Sequence, residues 1–330
     1  MLGEITPIKV KKEMRPQLIV VVDTEEEFNW SADPDRNETG VSAMKYITRA
    51  QEICDQYGLA PCYVIDYPVA TKPEGYEPLK QIFSEGRCEI GAHLHPWVNP
   101  PFDETLSREN MYPGNLARDI EYNKLLNLSN AIEASFGKKP NTYKAGRYGL
   151  GKNTVSILKE LGFEIDLSVC PPVDYRADGG PDYSDASAEP VWFGPEQNML
   201  EIPITGGFVG WGGAASKQLF NWAQLLKRFK VPGILSRLNI VDRLMLSPEG
   251  FNVEEHIKVT KFLYNQGVRT FTWSFHSPSV VPGMTPYVHN ESDLERFLDS
   301  FRRYFDFFFN QLSGEASTPT RLKAQLEALK

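Results

Sequence analysis

An α/β fold of parallel strands wrapped by helices is what this 330-residue chain predicts. Three observations carry that reading. Apolar runs of strand length alternate with stretches whose apolar residues fall at helical spacing. Glycines follow the helical stretches where a left-handed cap belongs. Two of the strand runs end abruptly in carboxylates or imidazoles.

The first strand is Leu18 to Val22, a continuous apolar run that delivers Asp23, Glu25, Glu26 and Glu27 to its mouth. Val41 to Tyr57 has helical spacing closed by Gly58, and Ala60 to Tyr67 returns to a strand. A short helix follows, with Pro78 in its first turn, Leu79, Ile82 and Phe83 on one face, and Gly86 at its end. Cys88 to His95 is then a strand running out into a loop. Asn115 to Phe136 reads as a long helix ended by Gly137, Thr142 to Tyr148 as a strand end, Asn153 to Leu161 as a helix ended by Gly162, and Phe163 to Val169 as a strand. Residues 171–213, rich in Pro, Gly and Asp, break the rhythm and predict an insertion of short antiparallel strands. Within it, Gly206 to Gly213 reads as a mobile loop exposing Phe208 and Trp211, suited to cover a bound molecule. Glu254 to Asn265 is a helix closed by Gly267, Val268 to His276 a strand, and Ser292 to Gln311 a Phe-rich helix. With residues 1–16 as an N-terminal extension and 314–330 as a helical tail, the whole of 1–330 reads as one domain.

Composition narrows the function. The chain is 41% hydrophobic and 24% charged, ordinary values that supply a large core. Its net charge of −8 argues against a nucleic-acid partner. No apolar stretch approaches the roughly 20 residues that span a bilayer. The first 16 residues have no apolar signal core ahead of Lys9, Lys11 and Lys12. A cytoplasmic location is therefore expected. Cys54, Cys62, Cys88 and Cys170 form no Cys-x-x-Cys pair and are expected as buried free thiols.

The chemistry concentrates at strand ends. His93 and His95 are two apart, so an extended strand presents both rings on one side, where a single ion can take both. Asp23 and Glu25 share a face in the same way, offering one carboxylate to a metal and a second to proton transfer. Taken alone, the acids also suit a helix N-terminus, and Glu26 and Glu27 are expected to be solvated. His276 closes the last strand, a position that favours catalysis over a core role, whereas His256 and His289 are expected at the surface. Lys144 and Arg147 form a basic strand end.

The order of these features resembles the polysaccharide deacetylase superfamily, as a divergent, carbohydrate esterase family four-like chain. It comprises an acid pair on the first strand, a His-containing turn on the third, Lys144-Ala145-Gly146-Arg147-Tyr148-Gly149 at a strand end, and Phe275-His276-Ser277-Pro278-Ser279 on the last. The resemblance spans about Leu18 to Ser279. It implies a distorted (β/α) barrel, usually seven-stranded, and hydrolysis of acetamido groups on sugars with a divalent metal, commonly zinc. It implies Asp23 as general base and Glu25, in place of the usual aspartate, as a metal ligand. His93 matches the first histidine of a motif whose two imidazoles lie four apart; Trp97 stands at the second place, and His95 is the second imidazole here. Lys144 occupies the place of a motif arginine, with Arg147 able to replace its guanidinium, and either can orient Asp23 and hold its pKa down. Asp166 resembles the fourth-motif acid, expected to pair with His276 and raise its pKa, and His276 the general acid. A backbone amide near Tyr148 is expected to steady the oxyanion.

The expected function is metal-dependent hydrolysis of a non-peptide amide, foremost N-deacetylation of an acetamido sugar in a glycan or glycan precursor. Zn²⁺ is the first expectation for the ion, although cobalt, nickel and iron accept the same ligands. A hydrolase of another small amide and a catalytically degenerate carbohydrate-binding protein are the alternatives. The expected partner is a carbohydrate or small amide, with neither nucleic acid nor a membrane span, and the pattern specifies no oligomeric state.

Overall fold

The computed structural model describes residues 2–8, 10, 13–212 and 215–330. Met1, Lys9, Lys11 and Lys12 of the N-terminal extension, the final glycine of the Gly206–Gly213 stretch and Ala214 lie outside the described residues. The chain runs β1 (Thr6–Pro7), β2 (Gln17–Thr24), α1 (Thr48–Gln56), β3 (Cys62–Ile65), α2 (Tyr67–Thr71), α3 (Pro73–Ser84), β4 (Glu89–Leu94) and α4 (Arg118–Phe136). It continues through β5 (Thr142–Ala145), α5 (Thr154–Leu161), β6 (Ile165–Asp166), β7 (Val191–Phe193), β8 (Met199–Glu201) and β9 (Gly206–Val209). The remaining elements are α6 (Ser216–Leu225), α7 (Val231–Arg237), β10 (Asp242–Met245), α8 (Val253–Gln266), β11 (Thr270–His276), α9 (Glu291–Asp306), β12 (Glu315–Ala316) and α10 (Pro319–Glu327).

The sheet is mostly parallel, as the alternation predicts. Its order is β1-β7-β8-β6-β5-β4-β3-β2-β11, and every pairing from β8 to β11 is parallel. All eight residues of β2 are buried, which accounts for its unbroken apolar run. No strand ladder joins β8 to β11 among the described residues. Instead, Thr272 N–H donates to Thr205 Oγ1 at 2.8 Å, Leu246 N–H to the Thr205 carbonyl at 2.8 Å, and Ser274 N–H to the Leu246 carbonyl at 3.3 Å. These bonds tie the segment after β8 and the end of β10 to β11.

Strand alternation divides the core in two. Ile19, Val21, Cys62, Val64, Ile165, Leu167, Leu200 and Ile202 pack on the inner face. Leu18, Val20, Val22, Tyr63 and Ile65 turn outward to the helices. The C-terminal tail closes the inner face from below: β12 pairs with Gln17 and Leu18, and α10 buries Leu322 and Leu326 against that cluster. Each of those leucines contributes roughly 1.5–3 kcal/mol. The helix-ending glycines act as expected at Gly137 and Gly162, whose φ values of 72° and 82° cap α4 and α5.

The structure corrects several expectations. Met199–Glu201, read as part of an insertion, is a strand of the main parallel sheet beside β6, because Leu200 supplies the inner-face apolar side chain that the sheet needs. Gly206–Val209 is no loop; it pairs antiparallel with β10, and Leu263 of α8 packs over Gly207. Pro78 lies inside α3, whose first turn begins at Pro73. His256, expected at the surface, is fully buried on the inward stripe of α8, with its ring 4.9 Å from that of Trp273 and Nε2 2.7 Å from the Ser247 carbonyl. All four cysteines are buried and free. Among the described residues no helix is long and apolar enough to cross a membrane.

Candidate metal centre

Parity and register together assemble the site. Asp23 of β2 stands opposite His276 of β11, and His93 of β4 opposite Lys144 of β5. The alternation that puts Val21 and Val64 on the inner face puts Asp23, His93, Lys144 and His276 there too, at the C-terminal ends of the strands. Glu25 follows one residue past β2, held by its backbone N–H donating to Ser277 Oγ at 3.1 Å.

Glu25, His93 and His95 meet. Glu25 Oε2 lies 3.8 Å from His93 Nε2 and 3.5 Å from His95 Nε2, and the three side chains offer ligand atoms within 4.8 Å of one another. Each imidazole is oriented from behind. His93 Nδ1 lies 2.9 Å from the Lys144 carbonyl and His95 Nδ1 2.8 Å from Glu26 Oε2. An acceptor at Nδ1 requires the proton there, which leaves both Nε2 lone pairs facing Glu25. Glu25 Oε1 is itself buried and without a hydrogen-bond partner. Burial pushes the Glu25 carboxyl up to about 7 and drives His95 down to about 4; burial and then the neighbouring His95 also hold His93 low. Three converging acceptors in a site that suppresses protonation of its imidazoles fit a divalent cation, which favours the carboxylate and neutral imidazoles at once. One carboxylate and two imidazoles also leave coordination positions open.

Beside this cluster stands a chain of alternating charge. Lys144 Nζ donates to both Asp23 oxygens at 2.5 and 2.7 Å, His276 Nε2 lies 3.7 Å from Asp23 Oδ2, and His276 Nδ1 lies 2.7 Å from Glu249 Oε2. Burial alone would raise the Asp23 pKa, but Lys144, with His93 and His276, brings it below the usual value. Burial likewise opposes charge on His276, yet Glu249, then Glu25 and Asp23, carry it up to about 10. Near neutral pH the site therefore holds a carboxylate and an imidazolium side by side.

Lys144 and Arg147, equivalent in the sequence, take different places. Lys144 pairs with Asp23, while the Arg147 guanidinium bonds Asp178 and lies 4.9 Å over the Tyr112 ring. Arg147 and Tyr148 both have positive φ, 53° and 58°, a strained turn that follows Gly146. A Cβ on Gly146 would sit 2.4 Å from the Leu94 carbonyl and 2.7 Å from His95 Cδ2, so this glycine lets the turn press against a candidate ligand.

Asp166 does not meet His276, and the pairing expected for it is corrected. Its neighbours Ile165 and Leu167 take the inner face, which turns Asp166 outward to accept from Ser168 Oγ at 2.6 Å, beside buried Glu201. The place beside His276 belongs to Glu249, from the loop after β10 and invisible to strand periodicity. Glu26, expected in solvent, is completely buried against His95, and its N–H donates to Asp66 Oδ2 at 2.7 Å. Asp66, also unmarked in the sequence, caps α2 through the Val69 N–H. Trp97, at the place of the absent histidine, stacks on the His95 ring at 4.2 Å.

The cluster opens into a cavity of about 420 Å³ whose wall includes Phe28, Trp30, Tyr112, Tyr175, Met245 and Tyr287. Trp30 meets the His276 ring edge-on at 4.8 Å and Tyr287 at 5.8 Å. Phe208 and Trp211, expected over a bound molecule, are not part of this wall.

No family model matches the sequence, and no curated protein matches it either. Solved structures do. A candidate polysaccharide deacetylase from Mycobacterium smegmatis superposes with a TM-score of 0.54 at 15% identity, over 99% of this chain and 96% of that one. Puue allantoinase superposes with a TM-score of 0.51 at 15% identity, over 94% of this chain and 90% of that one. The chain has a divergent polysaccharide deacetylase-like fold.

Proposed function

We propose that this chain is a metal-dependent hydrolase of non-peptide carbon–nitrogen bonds that removes acetyl groups from acetamido sugars in a glycan or glycan precursor. One observation carries the reading: an Asp23 carboxylate and a His276 imidazolium, 3.7 Å apart, stand beside three converging metal-ligand atoms. A binding protein needs neither a poised base nor a poised acid.

A divalent ion held by Glu25, His93 and His95, zinc foremost, would polarise the amide carbonyl and lower the pKa of water. Asp23 accepts the proton of the attacking water, and Lys144 keeps it anionic until then. As the carbon–nitrogen bond breaks, His276 Nε2 donates its proton to the departing amine, while Glu249 holds the ring from Nδ1. Acetate and a free amine leave. Trp30 and Tyr287 offer apolar faces to a sugar ring beside the acid. A second reading, hydrolysis of another small amide, draws support from the hydrogen-bonding pair Arg147–Asp178 in the same wall and from the allantoinase likeness in fold.

The test is acetate release from N-acetylated chito-oligosaccharides and from a panel of small amides, by wild type and Asp23→Asn. Turnover of an acetamido sugar by wild type, lost in Asp23→Asn at unchanged metal content, supports the proposal. Turnover of only the other amides selects the second reading, and no turnover of either class overturns both.

A further inference from the structure

Between Ile202 and Val241 the chain has five Lys or Arg and no Asp or Glu. With a whole-chain charge of −8, the remainder carries −8 − 5 = −13. The same segment concentrates exposed apolar surface. Of the twelve large apolar side chains exposed among the described residues, six lie here: Trp211, Trp222, Leu225, Phe229, Ile234 and Leu238. Leu225 is 81% exposed and Trp211 71%. The two helices spend little of their surface on the core, since α6 buries only Ser216 and Ala223 and α7 buries no residue. Trp222 and Leu225 are one helical turn apart and share a face of α6, as Ile234 and Leu238 do at α7. Arg228, Lys230 and Arg237 are exposed among them, with Arg228 lying over the Phe229 ring at 4.6 Å. The excursion is a defined unit: Trp211 Nε1 donates to the Leu238 carbonyl at 3.2 Å, and the β9–β10 ribbon closes its base.

We propose that this helical excursion docks the protein onto an anionic lipid bilayer. Tryptophan and aliphatic side chains interleaved with Arg228, Lys230 and Arg237 suit the headgroup boundary, where the rings and chains enter the apolar layer and the cations meet lipid phosphates; Lys217, paired with Asp185, is not counted among them. The acidic remainder is repelled by such a surface, so the molecule approaches with this patch first. A second copy of the chain fits less well. The other six exposed apolar side chains are spread over five separate segments and offer no matching face. The ribbon ties the patch to the candidate site, because Ile204 and Met245 at its other end line the cavity. The docking does not depend on the chemistry proposed above.

Sedimentation of the full chain with vesicles tests this, using three parts phosphatidylcholine to one of phosphatidylglycerol beside phosphatidylcholine alone. Two variants accompany wild type, Leu225→Ser with Phe229→Ser and Lys230→Glu with Arg237→Glu, and thermal melts check that each keeps its fold. The proposal expects wild type on the anionic vesicles, weakly on the neutral ones, with release by salt. Each cation at such a surface strengthens binding roughly fivefold, so the charge pair loses at least about 25-fold. Absence of wild type from both vesicles overturns the proposal, and so does undiminished binding of either folded variant. Sedimentation velocity supplies the remaining contradiction: self-association that the Leu225→Ser, Phe229→Ser variant abolishes, without vesicle binding, makes the patch a contact between copies of this chain.

Discussion

His276 Nδ1 stands 2.7 Å from Glu249 Oε2, and the same carboxylate accepts the His276 backbone N–H at 3.1 Å and the Ser279 hydroxyl. One loop residue thus fixes both the orientation and the proton of the imidazole that closes β11. The opposite edge of that ring faces Asp23, so the acid and the base of the proposed reaction are held in place through each other's neighbours.

Glu249→Gln keeps the shape of this contact and removes its charge. Burial is then opposed only by Glu25 and Asp23, and the His276 pKa falls from about 10 towards the ordinary 6.5. The alkaline limb of the pH–rate profile should move down by more than one pH unit, and activity at pH 8 should fall by up to about 30-fold. Stability carries the same signature. A raised folded pKa contributes stability that is complete below about 6.5 and lost as pH rises towards about 10. Wild type should lose melting temperature across that window, and Glu249→Gln should show a flatter curve. Identical profiles for the two proteins would refute the assignment.

Lys144→Met tests the other half. Asp23 would keep its burial and lose its nearest cation, so its pKa should rise and the acid limb of the rate profile move to higher pH. Asp23 in the wild type has a lowered pKa, which contributes stability above about 3.9 that disappears as pH falls through the folded value. Breaking a buried pair costs about 3–5 kcal/mol, so the melting temperature should drop too. Arg147→Met, removed from Asp23, should leave the acid limb in place.

How much of this was legible in the sequence follows from where strand parity applies. Asp23, His93, Lys144 and His276 sit on strands, and two-residue alternation puts them on one face. The same parity turns Asp166 away from His276, because its neighbours Ile165 and Leu167 take the inner face. Glu26 escaped because β2 ends at Thr24; beyond it the alternation stops, and tertiary contacts with Asp66 and His95 decide burial. Glu249 escaped because it sits in a loop, without a period to betray it. The β8 strand was hidden by the Pro- and Gly-rich sequence around it, three residues being too few to establish alternation.

Glu26→Ala removes the carboxylate behind His95 and leaves all three proposed ligands in the chain. Metal affinity, measured by competition with a chromogenic chelator, should weaken about 10- to 100-fold, and Glu26→Gln, whose amide oxygen still accepts from Nδ1, should fall between. Unaltered affinity in Glu26→Ala would mean that His95 is oriented by other contacts, chiefly Trp97.

Elemental analysis of the purified chain beside Glu25→Ala, His93→Ala and His95→Ala tests the three-ligand site most directly. About one divalent ion per wild-type chain, and loss of that ion in each variant, is the result this account predicts. Wild type without metal, or metal undiminished in His95→Ala, would contradict it.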